Sequence, residues 1–218
     1  MAEEPWATGS LHSATVALTY TCVAIFCAAW TAGVLYFAVA ARSGLCGWLR
    51  GLRRSMLRRV LLVGGGYALF ALLDRTRDFW QHLRYWQPVL AVAGALLAVA
   101  STALLLWARW VLGVMWASVP TVQERHELRT DGPYRLVRHP IYTGLLGLIA
   151  GGMAACGFGV WIAYILVAVP WLLLRVRAED AMMAGRFGAA YETYRARVPA
   201  LVPLGLPAAS GPAGPRRR

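Results

Sequence analysis

Lysine is missing from this 218-residue chain, so all 22 of its basic residues are arginine. Alanine and glycine are abundant alongside, and the pattern reads as codon bias of a GC-rich genome rather than selection for guanidinium chemistry. Charge of either sign is scarce: 15% of residues are charged against 59% hydrophobic, with a mean hydropathy of +0.52. That balance excludes one soluble domain of this size and points to a polytopic membrane protein. The four cysteines, Cys22, Cys27, Cys46 and Cys156, show no CxxC or Cys/His ligand spacing and imply neither a disulfide framework nor a metal site. A glycine-rich phosphate loop, a GxGxxG fingerprint, an HExxH helix and a nucleophile elbow are absent as well. The run Gly64-Gly65-Gly66 lies inside an apolar stretch, where close helix packing accounts for it. Soluble nucleotide-binding architecture is thereby excluded, and a nucleotide-like cofactor would be held by membrane helices and their ends. The net charge of +12 comes without a nucleic-acid motif, so nucleic acid is not an expected partner and anionic membrane lipids are. The N-terminal MAEEPWATGS lacks the basic region of a signal peptide, and the first apolar run is expected to stay as a span.

Apolar runs cover 14–41, 60–73, 88–115, 141–156 and 158–174. A crossing needs roughly 20 apolar residues, so the first and third are amply long and the others need flanking residues or tilt. The expected fold is all-α: a polytopic transmembrane bundle of about five spans, or four if the second run is re-entrant. Gly157 to Gly159 allow only a tight turn, which makes the last two spans a helical hairpin. Arginine-rich short loops stay cytoplasmic. Arg42, Arg50, Arg53, Arg54, Arg58 and Arg59 crowd the first loop without an acid, Arg125, Arg129, Arg135 and Arg138 follow the third run, and the C-terminal part from Arg175 is again basic. The N-terminus is therefore expected outside and the C-terminus in the cytoplasm, with a bacterial inner membrane as the location. From Arg175 to Arg197 helical spacing aligns Val176, Met182, Met183, Phe187, Tyr191 and Tyr194 near one stripe, the mark of a cytoplasmic amphipathic helix continuing out of the fifth span, which Gly185 and Gly188 weaken and Pro199 ends. The expected organisation is N-terminal helices over 1–87, a core over 88–203 and a disordered Arg-ended tail over 204–218.

The densest polar stretch, TDGPYRLVRHPIYTG at 130–144, sits between two apolar segments. On the expected topology it shares the cytoplasmic face with Arg175, Glu179, Asp180, Tyr191, Tyr194 and Arg197. Charged groups at membrane depth line a cavity or pair with one another, and a site with both signs suits a zwitterionic ligand. His139 precedes Pro140, a natural first residue for the fourth helix, whose N-terminus would offer free backbone N–H groups to an anion. The same residues also fit a plain helix start with Arg138 as a lipid-facing anchor. Glu179 and Asp180 are about 100° apart on a helix and cannot both face one ligand squarely. Arg175 and Glu179, at i and i+4, fit a surface ion pair unless a carboxylate turns inward.

GPYRLVRHPIYTG followed, after a hairpin, by EDAMMAGRFGAAYETYRARVPALVP resembles the C-terminal half of the isoprenylcysteine carboxyl methyltransferase family, over roughly 109–203. Asp180 stands where that family often has a second Glu, and Met182 where it often has Leu. The resemblance implies an integral membrane methyltransferase that uses S-adenosylmethionine. Its cofactor-binding residues would be His139, Pro140, Tyr142, Gly144, Glu179 and Tyr191, with Glu179 holding the amino group. Arg138, Arg197 and Glu179 would be the catalytic set, the arginines meeting the cofactor carboxylate or an anionic substrate group. The acceptor would be lipophilic, a small molecule or a prenylated thioether carboxylate, and no metal is implied. Three alternatives stay open from the sequence: a methyltransferase acting on a thiol, amine or phospholipid, an NADPH-dependent membrane reductase of the steroid-reductase type, and a non-catalytic protein whose polar clusters brace the hairpin.

Overall fold

A computed structural model describes residues 9–40, 77–113 and 128–202. The second apolar run, the arginine-rich loop before it, Cys46 and the 204–218 tail lie outside the described residues. Among the described residues the structure is helical without strands: α1 (Ser10–Ala40), α2 (Arg77–His82), α3 (Pro88–Leu112), a 3-10 turn (Gly132–Arg135), α4 (Pro140–Cys156), α5 (Trp161–Phe187) and α6 (Ala189–Arg197). Three segments, Ser10–Gly33, Pro88–Leu112 and Trp161–Phe187, are long and apolar enough to cross a membrane, and Pro140–Cys156 is a shorter apolar helix. They correspond to the first, third, fifth and fourth expected spans.

α3 starts where Pro88 presets the first helical turn and the Gln87 side chain accepts from Leu90 N at 3.2 Å. Its buried face is built of small residues, Ala91, Gly94, Ala95, Ala98, Ser101, Thr102 and Ala108, with Leu105 the one large member. α4 meets it antiparallel with small residues of its own. A Cβ on Gly94 would lie 2.6 Å from Gly151 O, and one on Gly151 would lie 2.7 Å from Gly94 O. Lipid tails are as apolar as leucine, so helices in a bilayer hold together by close packing of this kind rather than by expelling water. α1 lies parallel to α3: His12 meets the Trp86 ring edge to face near the start of α3, while Trp30 lies under the Arg109 guanidinium near its end. Cys22 joins Ala98, Leu105 and Leu148 in the buried centre. Thr15 and Thr19 face inward too, their hydroxyls bonded back to the carbonyls of His12 and Thr15.

The hairpin turn is made by glycines with positive φ, Gly157 at 90° and Gly159 at 37°. It is fastened from outside: Phe158 N and Gly159 N donate to Tyr85 O and Leu83 O, and Trp86 Nε1 donates to Ala155 O at 3.2 Å. α5 then leaves Leu166, Trp171 and Leu174 exposed, as a lipid-facing helix does, and runs on without a break past its apolar part. The expected helix over 175–197 does continue out of the fifth span, but it does not run unbroken to 197. Its first half is the end of α5, where the buried stripe is Leu172, Val176 and Asp180 while Met182 is exposed. Gly188, at φ 53° and ψ −129°, breaks the chain, so Tyr191 and Tyr194 belong to the separate helix α6 and follow a new direction.

Candidate functional site

Pro140 fixes the start of α4 as expected and is fully buried. The residues ahead of it, with His139 at φ −124° and ψ 62°, are held by a strap from residues 199–201. Arg138 N donates to Pro199 O at 2.9 Å and His139 N to Ala200 O at 3.0 Å, and the Thr143 hydroxyl lies 2.7 Å from Leu201 O. The 198–201 segment thus bonds the residues leading into α4, which the sequence reading had left facing a ligand.

Against this start α5 presents Glu179 and Asp180, and both turn toward His139. His139 Nε2 lies 2.8 Å from Asp180 Oδ1, and Nδ1 lies 3.6 Å from Glu179 Oε2. Neighbouring helical positions point about 100° apart, and the imidazole spans that angle by offering one nitrogen to each carboxylate. Asp180 is the more buried of the two. Besides His139, its Oδ1 accepts from the Tyr191 hydroxyl and its Oδ2 pairs with Arg138 Nη2 at 3.1 Å. Glu179 is 30% exposed; its Oε1 accepts from the Tyr142 hydroxyl at 2.5 Å and pairs with Arg175 Nη2 at 3.2 Å. The rings of His139 and Tyr142 stack at 5.7 Å.

The Arg138 side chain is only 9% exposed, and its Nε and Nη1 are buried with no hydrogen-bond partner among the described residues. A buried guanidinium with unused donors costs free energy that an incoming anion would recover. Across the cluster, Tyr194 donates to Tyr134 O at 2.5 Å, which ties α6 to the 3-10 turn. Burial pushes the hydroxyls of Tyr134, Tyr191 and Tyr194 well above the usual tyrosine range, with the Asp180 hydrogen bond adding to the effect at Tyr191. These phenols therefore stay neutral donors.

Arg138, His139, Pro140, Tyr142, Glu179 and Tyr191 are brought together. Gly144 and Arg197 are not. Gly144 faces α3, where a Cβ would come within 2.6 Å of Leu105 Cγ, so it serves helix packing. Arg197 is exposed at the end of α6 and contributes no hydrogen bond or ion pair to the cluster among the described residues. Tyr191 reaches the cluster through Asp180. Asp180, which the sequence reading left out of the expected cofactor and catalytic residues, is seated between Arg138 and His139. Thr143 was also missed, and Gly188 was read only as a weak point in a helix. Among the described residues no group of three His, Cys, Asp or Glu side chains is arranged to hold a metal ion.

Residues 93–185 match the isoprenylcysteine carboxyl methyltransferase family, a segment that contains Arg138, His139, Tyr142, Glu179 and Asp180. The chain is similar to the protein-S-isoprenylcysteine O-methyltransferase of Schizosaccharomyces pombe, 38% identical over 80 residues, 36% of this chain and 34% of that one. With a probable protein-S-isoprenylcysteine O-methyltransferase of Oryza sativa subsp. indica it shares 26% identity over 161 residues, 70% of this chain and 83% of the other. With methanethiol S-methyltransferase 2 of Bradyrhizobium diazoefficiens it shares 36% over 76 residues, 34% of this chain and 28% of that one. The similarity therefore spans about a third of the S. pombe relative and most of the rice one. No solved structure matches the chain. Over residues 93–185, a little under half of its length, the chain is thus similar to the isoprenylcysteine carboxyl methyltransferase family.

Proposed function

We propose that the protein is an integral membrane methyltransferase that uses S-adenosylmethionine to methylate a lipophilic acceptor, with a carboxylate as the acceptor group. The observation that carries this reading is the pairing of a buried, incompletely bonded Arg138 with a half-exposed Glu179 across His139, inside the segment that matches the family. The amino-acid end of the cofactor carries an ammonium and a carboxylate, and the cluster offers an acceptor and a donor for that pair. Glu179 would take the ammonium, and Arg138, through Nε and Nη1, the carboxylate. His139 and Tyr142 form the wall between them. Bound there, the cofactor supplies an electrophilic methyl group on a sulfonium.

The residues then have to position and to exclude water. A carboxylate acceptor, with a pKa of about 4, is already ionised near neutrality and requires no general base, only alignment. That suits a cluster whose acids and tyrosines are already committed to internal bonds. A thiol acceptor is the second reading, favoured by the similarity to methanethiol S-methyltransferase 2. It needs a base, and Glu179, Asp180 and His139 are the groups of the cluster that could serve. The reductase reading finds no support in these relatives, which are all named as methyltransferases.

Titration of the detergent-purified protein with S-adenosylhomocysteine tests the site. A Kd on the order of 1 μM, about −8 kcal/mol, is expected for the unmodified chain, with binding lost in Glu179→Ala and in His139→Ala. Binding unchanged in both variants overturns the assignment. Membranes incubated with methyl-labelled S-adenosylmethionine then separate the acceptors: label released by mild base marks an ester, and base-stable label a thioether.

A further inference from the structure

His139 has two nitrogens, and the two carboxylates treat them differently. Asp180 is fixed from three sides, by His139 Nε2 and the Tyr191 hydroxyl on Oδ1 and by Arg138 on Oδ2, and its side chain is only 10% exposed. An ionised carboxylate accepts and does not donate, so the nitrogen at 2.8 Å from it carries the hydrogen. In the neutral ring that leaves Nδ1 as an acceptor. Nδ1 faces Glu179 Oε2 at 3.6 Å, beyond hydrogen-bond length, while the other Glu179 oxygen already holds Tyr142 and Arg175. Two acceptors therefore face each other across a gap, each lacking a donor.

We infer that Asp180 is a positioning residue that holds His139 with its hydrogen on Nε2, so that His139 Nδ1 and Glu179 Oε2 form a paired acceptor for a ligand ammonium. The inference rests on the cofactor reading above and names the partner of one half of it. A single carboxylate attracts any cation; a carboxylate and an imidazole nitrogen together select one with at least two N–H donors. Tyr191 acts at one further remove, by fixing the Asp180 oxygen that His139 uses.

The test uses the full-length protein with nitrogen-15 in its histidines, and His139→Gln identifies the His139 signals by their absence. The expected spectrum of the neutral ring has hydrogen on Nε2 and none on Nδ1, and saturating S-adenosylhomocysteine shifts the Nδ1 signal. Asp180→Asn is expected to mix the two ring forms and to weaken binding about tenfold. Hydrogen on Nδ1 in the unmodified protein, or an Nδ1 signal indifferent to the bound ligand, overturns the inference. So does an Asp180→Asn variant that keeps both the ring form and the affinity. Should that variant fail to fold, the unmodified protein's spectra decide alone. Failure of the unmodified protein to bind S-adenosylhomocysteine overturns the cofactor reading instead, and the ring form remains separately readable.

Discussion

Gly144 and Gly185 both belong to helices, yet adding a methyl group to each has opposite consequences. At Gly144 the methyl carbon would meet Leu105 Cγ at 2.6 Å and Ser101 O at 3.1 Å, a leucine in the buried centre and a backbone carbonyl, neither of which yields easily. Gly144→Ala is expected to destabilise by about 1–3 kcal/mol and to lower the midpoint of thermal unfolding in detergent. Nothing lies within 4 Å of a methyl at Gly185, so Gly185→Ala is expected to stabilise by about 0.5–1 kcal/mol and to raise the same midpoint. The buried phenols give a second residue-scale test. The fold favours the neutral forms of Tyr134, Tyr191 and Tyr194. The stability this contributes is complete below about pH 10, the unfolded value, and is lost as pH rises beyond it. An ultraviolet titration should show these three ionising after the exposed tyrosines and together with unfolding; ionisation alongside the exposed set refutes it.

At the scale of elements, the break at Gly188 decides where α6 points and therefore where Tyr191 and Tyr194 arrive. Its φ of 53° with ψ of −129° lies in a region that residues with a Cβ avoid, so Gly188→Ala is expected to cost about 1–3 kcal/mol. Its effect should be visible as weaker S-adenosylhomocysteine binding as well as a lower unfolding midpoint, although a methyl group at position 188 would meet nothing within 4 Å. A variant with normal affinity would show that α6 finds its place without the glycine. These elements also mark how far the sequence could be read. Pro140 and the glycines of the hairpin were legible because proline and glycine restrict or release φ directly. The inward turn of Asp180 was not, since helical spacing gives the angle between Glu179 and Asp180 but not which direction is the inside. The strap at 198–201 was illegible for another reason: it is irregular backbone, bonded through carbonyls that every residue possesses, and leaves no periodic trace. Arg197 was placed at the site because the expected topology and the matched C-terminal segment put it on the same face as the 130–144 stretch, and the exposed last turn of α6 leaves it outside the cluster.

For the whole molecule, the site and the hairpin turn occupy opposite ends of α4: His139 stands at its start and Cys156 at its finish. The arginine distribution predicts a cytoplasmic His139 end. With the other cysteines replaced, a membrane-impermeant maleimide is expected to reach a cysteine introduced by Arg197→Cys only after the membrane is opened, whereas Cys156, partly exposed at the other end, reacts in sealed cells. Labelling of both from one side would overturn this topology. The bundle as a class was plain from composition and run length, because the bilayer imposes both. The association of α1 with α3 was not, since uniformly apolar helices carry no stripe that names a partner; Cys22 packs with Ala98 and Leu105 of α3, and Thr15 and Thr19 are buried. One consequence concerns time rather than space. Thr143 and Leu201 are 58 positions apart in sequence, so no growing chain can complete the bonds at the start of α4 until residue 201 has been made. The membrane helices can insert in order as they emerge, but the cluster around His139 closes last. A chain terminated before residue 198 would remain lodged in the bilayer without a finished cluster around His139.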